Sequence, residues 1–512
     1  MRKSLIGLVM AFCFFQAYSQ EDPSLKYAES ITTEDLKDYL SILASDALEG
    51  RETGKRGQKM AAALIETHFK ELGLLPIVPN GSEKSYFQKV PLEYSKPGEI
   101  YVKVNGVQKN NFEDIVYYGS KETSGEELLD VVFGGEGSDE ELAQIDINGK
   151  AVVVYNKGGF QAWRNLRQKV QDKGAKAFFL VNTDSIEAFK DLAKQFKGFI
   201  GRGSLRLPSK KQNNQSIGVT FIAPELAAEI FGTKAAKLQK ALEESKGGKH
   251  GAIKKIKAGK VAYKASRETK TIISENVLGF LEGTDKKDEV VIVTAHYDHI
   301  GRNGDQINNG ADDDGSGTSS VMELAEAFAM AKKEGKGPRR SMLFMTVTGE
   351  EKGLLGSQYY VENPILPLKS TVVNLNIDMV GRVDPDHKEN PNYVYLVGSN
   401  RLSTELHVIS EKVNETYSNL DLDYTYNDEK HPDRIYYRSD HWNFAKNDIP
   451  IIFYFNGTHE DYHRPTDTVD KIEFDILQKR AKLVFHTAWV LANRDDRPSV
   501  DKLQDTKLEG DK

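Results

Sequence analysis

After residue 270 the sequence alternates between short apolar stretches and segments whose apolar residues recur with helical spacing. This alternation of strand, loop and helix predicts an α/β fold with a mixed, mostly parallel sheet flanked by helices. In open sheets of this class, functional side chains gather beyond the carboxyl ends of the strands. The predicted strands span 290–294, 342–348, 372–377, 393–397 and 449–455, and the predicted helices lie near 317–333, 353–361, 401–417 and 472–492.

The preceding part of the chain has a different pattern. Residues 32–75 have the apolar spacing of two helices, whereas 111–265 contain short β-rich stretches separated by glycine clusters. At 512 residues the chain is longer than one ordinary domain. The predicted organisation is 20–110 as the N-terminal part of the α/β domain, 111–265 as an inserted β-rich module, 246–264 within it as a solvated connector, 266–495 as the main α/β domain, and 496–512 as a charged tail.

The N-terminus has the three parts of a secretory signal peptide. Arg2 and Lys3 precede an apolar stretch at 5–15, and the small-residue sequence Ala17-Tyr-Ser19 follows it. A membrane anchor is the alternative, but the apolar stretch is much shorter than the roughly 20 residues that a spanning helix needs. We therefore expect residues 1–19 to be removed and the protein to be exported, to the periplasm or the medium, without a membrane attachment.

The cysteine content and the net charge exclude some kinds of active site and binding partner. Cys13 is the only cysteine and lies inside the predicted signal peptide, so the exported chain has neither thiolate metal ligands nor a cysteine nucleophile. The net charge of -7 gives no electrostatic reason to expect nucleic acid or an anionic membrane surface as a partner. Small molecules and peptides remain as substrate classes.

Residues that bind metals follow four of the predicted strands, and one more lies in the loop before the first of the C-terminal helices. Such donors at one sheet edge predict a metal site. Their nitrogen and oxygen atoms, without sulfur, suit zinc, and manganese or cobalt are the alternatives. The five candidate ligands are His296, Asp313, Glu351, Asp378 and His463.

Two further carboxylates have candidate roles beside these ligands. Asp298 lies two residues after His296, where its carboxylate would accept the second imidazole N–H and fix the ring tautomer; a loop cap is its alternative role. Glu350 precedes Glu351, which allows one carboxylate to bind metal while its neighbour takes a proton from water.

The segment His459-Glu-Asp-Tyr-His463 matches the H-E-x-x-H pattern of one-zinc proteases. That pattern places both histidines on one metal only when it lies on a helix. Here it follows a predicted strand, and Pro465 disfavours helical geometry in the residue before it. We therefore expect no helix at this segment and assign only His463 to the metal site.

Taken together, these motifs resemble the co-catalytic two-zinc aminopeptidases of metallopeptidase family 28. The resemblance covers roughly 270–495, and Ser45-Asp-Ala-Leu-Glu-Gly-Arg51 is similar to the start of bacterial members. Asn148 to Val154, followed by Lys173 to Ala177, is similar to the protease-associated module inserted in many members. The matching motifs are His296-Tyr-Asp298, Gly310-Ala-Asp-Asp313-Asp-Gly-Ser-Gly317, Gly349-Glu-Glu351, Asn376-Ile-Asp378 and Tyr462-His463.

The resemblance implies a zinc-exopeptidase fold and two zinc ions per chain. It implies that Asp313 bridges the metals, with His296 and Asp378 on one zinc and Glu351 and His463 on the other. It also implies a cis peptide after Asp313.

The resemblance further implies a division of catalytic roles. Glu350 would be the general base, and the Tyr462 hydroxyl would hydrogen-bond the developing oxyanion. The expected activity is removal of N-terminal residues from peptides. Carboxypeptidases, dipeptidases and glutaminyl cyclases remain alternatives because they resemble this metal site, and a non-catalytic, receptor-like binding protein is the alternative of a different class.

Overall fold

The computed structural model describes residues 22–208 and 216–502. The predicted signal peptide and the end of the predicted tail lie outside this part of the chain. The chain folds as two compact units, one formed by residues up to Val90 and from Ser274 onward, the other by Pro91–Ile273. Within the described residues, no helix combines the length and the apolarity that crossing a bilayer requires.

The first unit is built on a mixed sheet. Its four central strands run parallel, and the strand at each side of this group is antiparallel to its neighbour. The sheet order is Asp421–Asp423, Tyr393–Val397, Ile451–Phe455, Thr371–Ile377, Lys286–His296, Arg340–Val347 and the end of Gly259–Leu281. Short paired strands lie outside it at Val78–Asn80 with Glu83–Ser85 and at Arg302–Asn303 with Gln306–Ile307.

Helices cover this sheet, and both of its faces are buried. Along Lys286–His296, Val291 and Val293 belong to one apolar cluster, whereas Val290 and Ile292 belong to the cluster on the other side. This is the expected result of apolar strands in a parallel sheet. The helices of the unit are Pro23–Ala28, Thr33–Leu43, Arg56–Glu71, Gly317–Lys333, Leu355–Glu362, Thr404–Val413, His441–Ala445 and Phe474–Asn493.

The register brings the strand ends to one edge. His296 pairs with Val347, and Ile377 pairs with Tyr454, so the four central strands end at nearly the same level. The α/β prediction for this region is confirmed, with strand bounds within a few residues of those expected. The segments that follow these strands therefore meet at one edge of the sheet.

The second unit contains the strands expected for the β-rich region 111–265, together with five helices, within its described residues, that were not predicted there. Four parallel strands form its centre, and the apolar residues of amphipathic helices pack on them. Its helices are Asp139–Leu142, Phe160–Asp172, Ile186–Ile200, Pro224–Ile230 and Ala235–Lys246. Its strands are Phe87–Val104, Val107–Asn110, Ile115–Tyr118, Glu127–Phe133, Ala151–Tyr155, Ala177–Val181, Ser204–Arg206, Val219–Ile222 and the start of Gly259–Leu281.

The solvated connector at 246–264 is also corrected. Residues from Gly259 onward pair with the strand Glu127–Phe133, and Val261 and Tyr263 are buried between exposed or half-buried lysines. The lysines suggested a loop, but only one face of this strand meets solvent. The assignment of the unit as a protease-associated module stays a prediction.

Candidate metal centre

All five predicted ligands lie at the edge where the four central strands end. His296 is the last residue of its strand, and Asp378 directly follows the strand Thr371–Ile377. Glu351 lies in a short helical turn that Gly349 opens with a φ of 70°, a left-handed conformation that glycine adopts without steric cost. Five donors that are separate in sequence are therefore neighbours in the structure.

The donors form two groups that share Asp313. In the first group, His296 Nε2 lies 3.3 Å from Asp313 Oδ1 and 3.5 Å from Asp378 Oδ1. In the second, His463 Nε2 lies 3.1 Å from Asp313 Oδ2 and 3.1 Å from Glu351 Oε2. The two oxygens of the Asp313 carboxylate thus face different sets of donors. The peptide between Asp313 and Asp314 is cis, as the resemblance implied.

The residues fit a bound metal cation. Asp313 Oδ2 and Glu351 Oε1 are buried and have no hydrogen-bond partner within the described residues. These oxygens have imidazole nitrogens nearby but no hydrogen bond, which is costly for a buried carboxylate, and a coordinated cation would remove that cost. The imidazoles around Asp313 hold the pKa of its carboxyl well below the usual range, although burial acts to raise it. Metal binding requires this ionised form.

The His296 ring is fixed by a different atom from the one predicted. Its Nδ1 lies 2.9 Å from the backbone oxygen of Asp298, not from the carboxylate. The Asp298 carboxylate instead accepts from Thr53 Oγ1 at 2.6 Å and from the Glu350 backbone N–H at 3.2 Å. Nδ1 is therefore the ring donor, Nε2 is left for a metal, and the carboxylate positions the segment that carries Glu350.

Glu350 faces the first donor group. Its Oε2 lies 3.9 Å from His296 Nε2, and the side chain lines the same cavity as Asp313 and Asp378. Burial raises the pKa of its carboxyl well above the usual range, and the nearby His296 ring offsets this only in part. Such a group has a high proton affinity, which suits a proton acceptor in catalysis.

The H-E-x-x-H segment is not helical, as expected. His463 is stacked on the ring of Tyr462 at 3.9 Å, and Arg438 Nη2 donates to the Tyr462 hydroxyl at 3.4 Å. His459 points elsewhere, with Nε2 3.1 Å from Asp312 Oδ2. The two histidines of the pattern therefore have different surroundings, and Tyr462 lies at the cavity that Glu350 lines.

Several contributors to the site were missed in the sequence. Arg51 is fully buried and donates to the backbone oxygens of Leu43, Tyr297, Asn309 and Gly310. Tyr297 directly follows His296, and Asn309 and Gly310 lie in the loop before Asp313. Arg51 therefore contacts the backbone beside two of the predicted ligands. No local spacing relates residue 51 to residue 297 or 310, so only the folded chain shows this role.

Two hydrogen-bonding side chains were also missed. Ser439 Oγ donates to Asp378 Oδ2 at 2.6 Å. Asp467 accepts from the backbone N–H groups of Asp312 and Asp313 at 3.1 and 3.2 Å. Both orient a predicted ligand, and Ser439 also lines the cavity. His299, the third histidine at this edge, lies 2.8 Å from Glu351 through its Nδ1.

Comparison with solved structures supports the fold. The chain superposes on the aminopeptidase from Aneurinibacillus sp. strain AM-1 with a TM-score of 0.54 at 19% sequence identity, covering 94% of this chain and 98% of that chain. At this identity the likeness concerns the fold alone.

Sequence comparisons are consistent with it. Aminopeptidase YwaD of Bacillus subtilis is 26% identical over 340 residues, which are 62% of this chain and 67% of that relative. A probable leucine aminopeptidase of Arthroderma otae is 32% identical over 215 residues, 40% of this chain and 55% of that relative. The model of peptidase family M28 matches residues 276–488, which include every predicted ligand together with Asp298, Glu350 and Tyr462. Residues 276–488 therefore carry the match to peptidase family M28.

Proposed function

We propose that this protein is an exported zinc aminopeptidase that binds two zinc ions and removes apolar residues from the N-termini of peptides. The observation that carries the proposal is the pair of donor groups sharing Asp313, with Glu350 beside them. The relatives named above are aminopeptidases, which supports this reaction over the carboxypeptidase, dipeptidase and cyclase alternatives.

In this proposal each zinc ion has its own donors. His296 Nε2 and Asp378 would hold one ion, Glu351 and His463 would hold the other, and Asp313 would bridge them. Nitrogen and carboxylate donors without sulfur are typical zinc ligands in catalytic sites. Bound zinc supplies Lewis-acid chemistry and lowers the pKa of water.

The side chains of the chain itself divide the proton transfers. Glu350 would accept the proton of the attacking water and pass it to the leaving amine, which its raised proton affinity favours. The Tyr462 hydroxyl would donate to the oxyanion that develops on the scissile carbonyl. Arg438, which donates to that hydroxyl, would help to keep it oriented.

The cavity beside Glu350 has apolar walls formed by Met379, Ile435, Phe453 and Phe455. An aliphatic or aromatic side chain of a substrate would be removed from water there, whereas a charged one would lose hydration without gaining a partner from these four residues. Arg438 also lines this cavity and would repel a cationic side chain, so we expect leucyl and phenylalanyl substrates to be preferred over lysyl ones.

A substrate panel tests the activity. Leucyl, phenylalanyl, lysyl and glutamyl p-nitroanilides would be compared with N-acetyl-leucyl p-nitroanilide, a carboxypeptidase substrate and N-terminal glutaminyl peptides. We expect release from the free leucyl and phenylalanyl compounds, loss of activity with a chelator, and recovery on addition of Zn²⁺. Cleavage of only the N-blocked or the carboxyl-terminal substrates would reject the aminopeptidase proposal.

Metal analysis tests the zinc count. Elemental analysis of the dialysed protein would give two zinc ions per chain, and about one in an Asp378→Ala variant. A parent protein that retains no zinc and hydrolyses nothing would support a binding role instead.

Export is tested separately. Expression of the full sequence in a bacterial host, followed by fractionation and intact-mass analysis, is expected to give a periplasmic or secreted chain that begins at Gln20. An uncut chain retained in the cytoplasm would contradict this part of the proposal.

A further inference from the structure

His299 is a buried imidazole beside the second donor group that the five-ligand set leaves unused. Its side chain is completely buried, and its backbone N–H donates to the Arg51 carbonyl at 3.2 Å. Its Nδ1 lies 2.8 Å from Glu351 Oε1 and 3.8 Å from Asp313 Oδ2. The ring therefore approaches two of the three residues that form this group.

Hydrogen bonds do not account for this position. Neither ring nitrogen of His299 has a hydrogen-bond partner within the described residues, and Glu351 Oε1 has none either, although it lies so close to Nδ1. Nδ1 has only the ion-pair contact with Glu351, and Nε2 has no hydrogen-bond partner among the described residues, which is costly for a buried imidazole. A shared cation between Nδ1 and the carboxylates would remove that cost.

Each measured distance in this group is compatible with two donor atoms bound to one cation. Two atoms bound to the same zinc at about 2.1 Å are at most about 4.2 Å apart. The two distances from His299 Nδ1 lie below that limit, as do the two 3.1 Å distances from His463 Nε2 to Asp313 and Glu351. All three residues, His299, Asp313 and Glu351, offer donor atoms within 4.8 Å of one another.

The backbone leaves room for this ring. Gly310 has a φ of 57°, and a Cβ atom built on it would lie 2.6 Å from two atoms of the His299 imidazole. Both the left-handed conformation and the close approach require glycine at this position. The loop before Asp313 therefore packs directly against the His299 side chain at Gly310.

We infer that His299 is an additional protein ligand of the second metal position, so that Glu351, His463, Asp313 and His299 together hold one zinc ion. The first position, with His296, Asp378 and Asp313, has one protein ligand fewer. The two positions therefore differ in affinity, and the second fills first. This inference rests on the two-metal site of the proposed function.

The competing role is a hydrogen bond from Nδ1–H to Glu351, with no contact to metal. The two roles predict different structures. A ligand places Nδ1 at about 2.1 Å from zinc, whereas a hydrogen-bond donor keeps its proton and lies beyond bonding distance.

The decisive measurement is a crystal structure of the full chain loaded with Zn²⁺, with the metals located by anomalous diffraction. We expect two zinc ions, one of them about 2.1 Å from His299 Nδ1. Two ions with Nδ1 more than 3 Å from both would overturn the inference and leave the proposed function intact. A protein that binds no zinc would overturn both.

A variant series gives an independent readout. In His299→Gln the amide can still donate to Glu351 but is a poor zinc ligand, so we expect the tighter of two Zn²⁺ binding steps to weaken by at least about tenfold. Co²⁺ in that position should show a stronger visible absorption band as its coordination number falls. Unchanged binding and spectra in His299→Gln would reject the ligand role.

His486→Gln is the matched control. His486 is also buried and has an unpaired Nδ1, but it is stacked on Tyr417 in the first unit rather than placed beside the metal donors. It should leave both binding steps and the Co²⁺ spectrum unchanged. The same loss of affinity in both variants would indicate a general effect of removing a buried imidazole and would count against the inference.

Discussion

The two units of the chain share an architecture but differ at their strand ends. Each has four parallel strands with apolar clusters on both faces. In the second unit, Lys157 and Asp184 follow two of these strands and pair with each other, with 67% and 78% of their side chains exposed. In the first unit, Asp313 and Glu351 are each only 4% exposed.

This difference shows what a parallel sheet contributes and what it does not. Both sheets gather loops at one edge, but the exposed ion pair of the second unit is hydrated and worth little. In the first unit, carboxylates and imidazoles are held together away from water, and several of their atoms make no hydrogen bond with the described residues. Within the described residues, potential metal-binding groups occur only there. The fold provides the edge, and buried donors provide the chemistry.

The sharpest test of this comparison is Glu350→Gln. The amide keeps the size of the side chain but accepts no proton from water, so kcat on leucyl p-nitroanilide should fall by about 10³- to 10⁴-fold. Elemental analysis should still show the parent's zinc content. Near-parent activity in the zinc-loaded variant would remove Glu350 as the base.

Asp184→Asn is the counterpart in the second unit. It removes a strand-end carboxylate that is exposed and paired with a lysine, so kcat, KM and zinc content should remain at parent values. A large loss of activity would mean that the strand ends of the second unit contribute to the reaction. The proposed difference between the strand ends of the two units would then be wrong.

The second prediction concerns Arg51, which links segments around the ligands. In Arg51→Lys a single ammonium replaces a guanidinium that donates to four carbonyls, leaving some of them unpaired in the interior. We expect a loss of about 3 kcal/mol in the free energy of unfolding, measured in urea without metal. Zinc affinity should fall as well, because the loop before Asp313 loses its anchor.

Arg267→Lys provides the comparison. Arg267 also donates to backbone oxygens, those of Ser95 and Gly119, but within the second unit. It should lower the free energy of unfolding by about 1 kcal/mol and leave zinc affinity unchanged. Equal effects of the two variants on zinc affinity would show that Arg51 acts through general stability alone.

The same contrast explains what could be predicted from the sequence. The strands of the first unit are continuous apolar stretches, and the residues that follow them are chemically distinctive, so the fold and the shared edge of the five candidate donors could be predicted. His299 was missed because one more histidine after His296 and Asp298 resembles an ordinary loop residue. The spacing His296-Tyr-Asp-His299 was the available indication.

Other errors have identifiable causes. Asp298 was correctly predicted as the hydrogen-bond partner of the His296 ring. The sequence could not show that its backbone oxygen, rather than its carboxylate, accepts this hydrogen bond. In the second unit, the helix Phe160–Asp172 was not predicted, because the glycine pair before it indicated a turn. At 260–265, Lys260 and Lys264 lie on one side of the strand, and the buried Val261, Tyr263 and Ala265 lie on the other, which is the period of a half-buried strand.

A third prediction concerns buried carboxylates away from the site. Glu323 accepts one backbone N–H, from Thr32, and its Oε1 has no partner within the described residues. Burial raises its pKa to about 8 from an ordinary value of 4.5. The folded state therefore holds this proton more tightly than the unfolded state. Its contribution to stability is complete below pH 4.5 and is lost as the pH rises to about 8.

Glu323→Gln removes this loss. Against the parent, the variant should gain about 2 to 3 kcal/mol in the free energy of unfolding at pH 9 and little at pH 4. In the second unit, Glu141 instead accepts from the Glu136 and Ser138 N–H groups and from Ser245 Oγ. In Glu141→Gln an amide NH₂ group would face these donors, so the free energy of unfolding should fall at both pH values. A Glu323→Gln difference that does not change with pH would refute the assignment.

The smallest expected effect belongs to the Tyr462 hydroxyl. Tyr462→Phe keeps the ring stacked on His463 but removes the group proposed to donate to the oxyanion. We expect kcat to fall about tenfold, equivalent to about 1.4 kcal/mol, with KM and zinc content near parent values, because the interaction strengthens only in the transition state.

Tyr117→Phe is the control, since that hydroxyl donates to the Lys121 carbonyl within the second unit. A rise in KM with unchanged kcat in Tyr462→Phe would assign the hydroxyl to substrate binding. The tyrosine would then be part of the cavity wall, and Glu350 would be the one side chain outside the predicted metal ligands with a proposed chemical step.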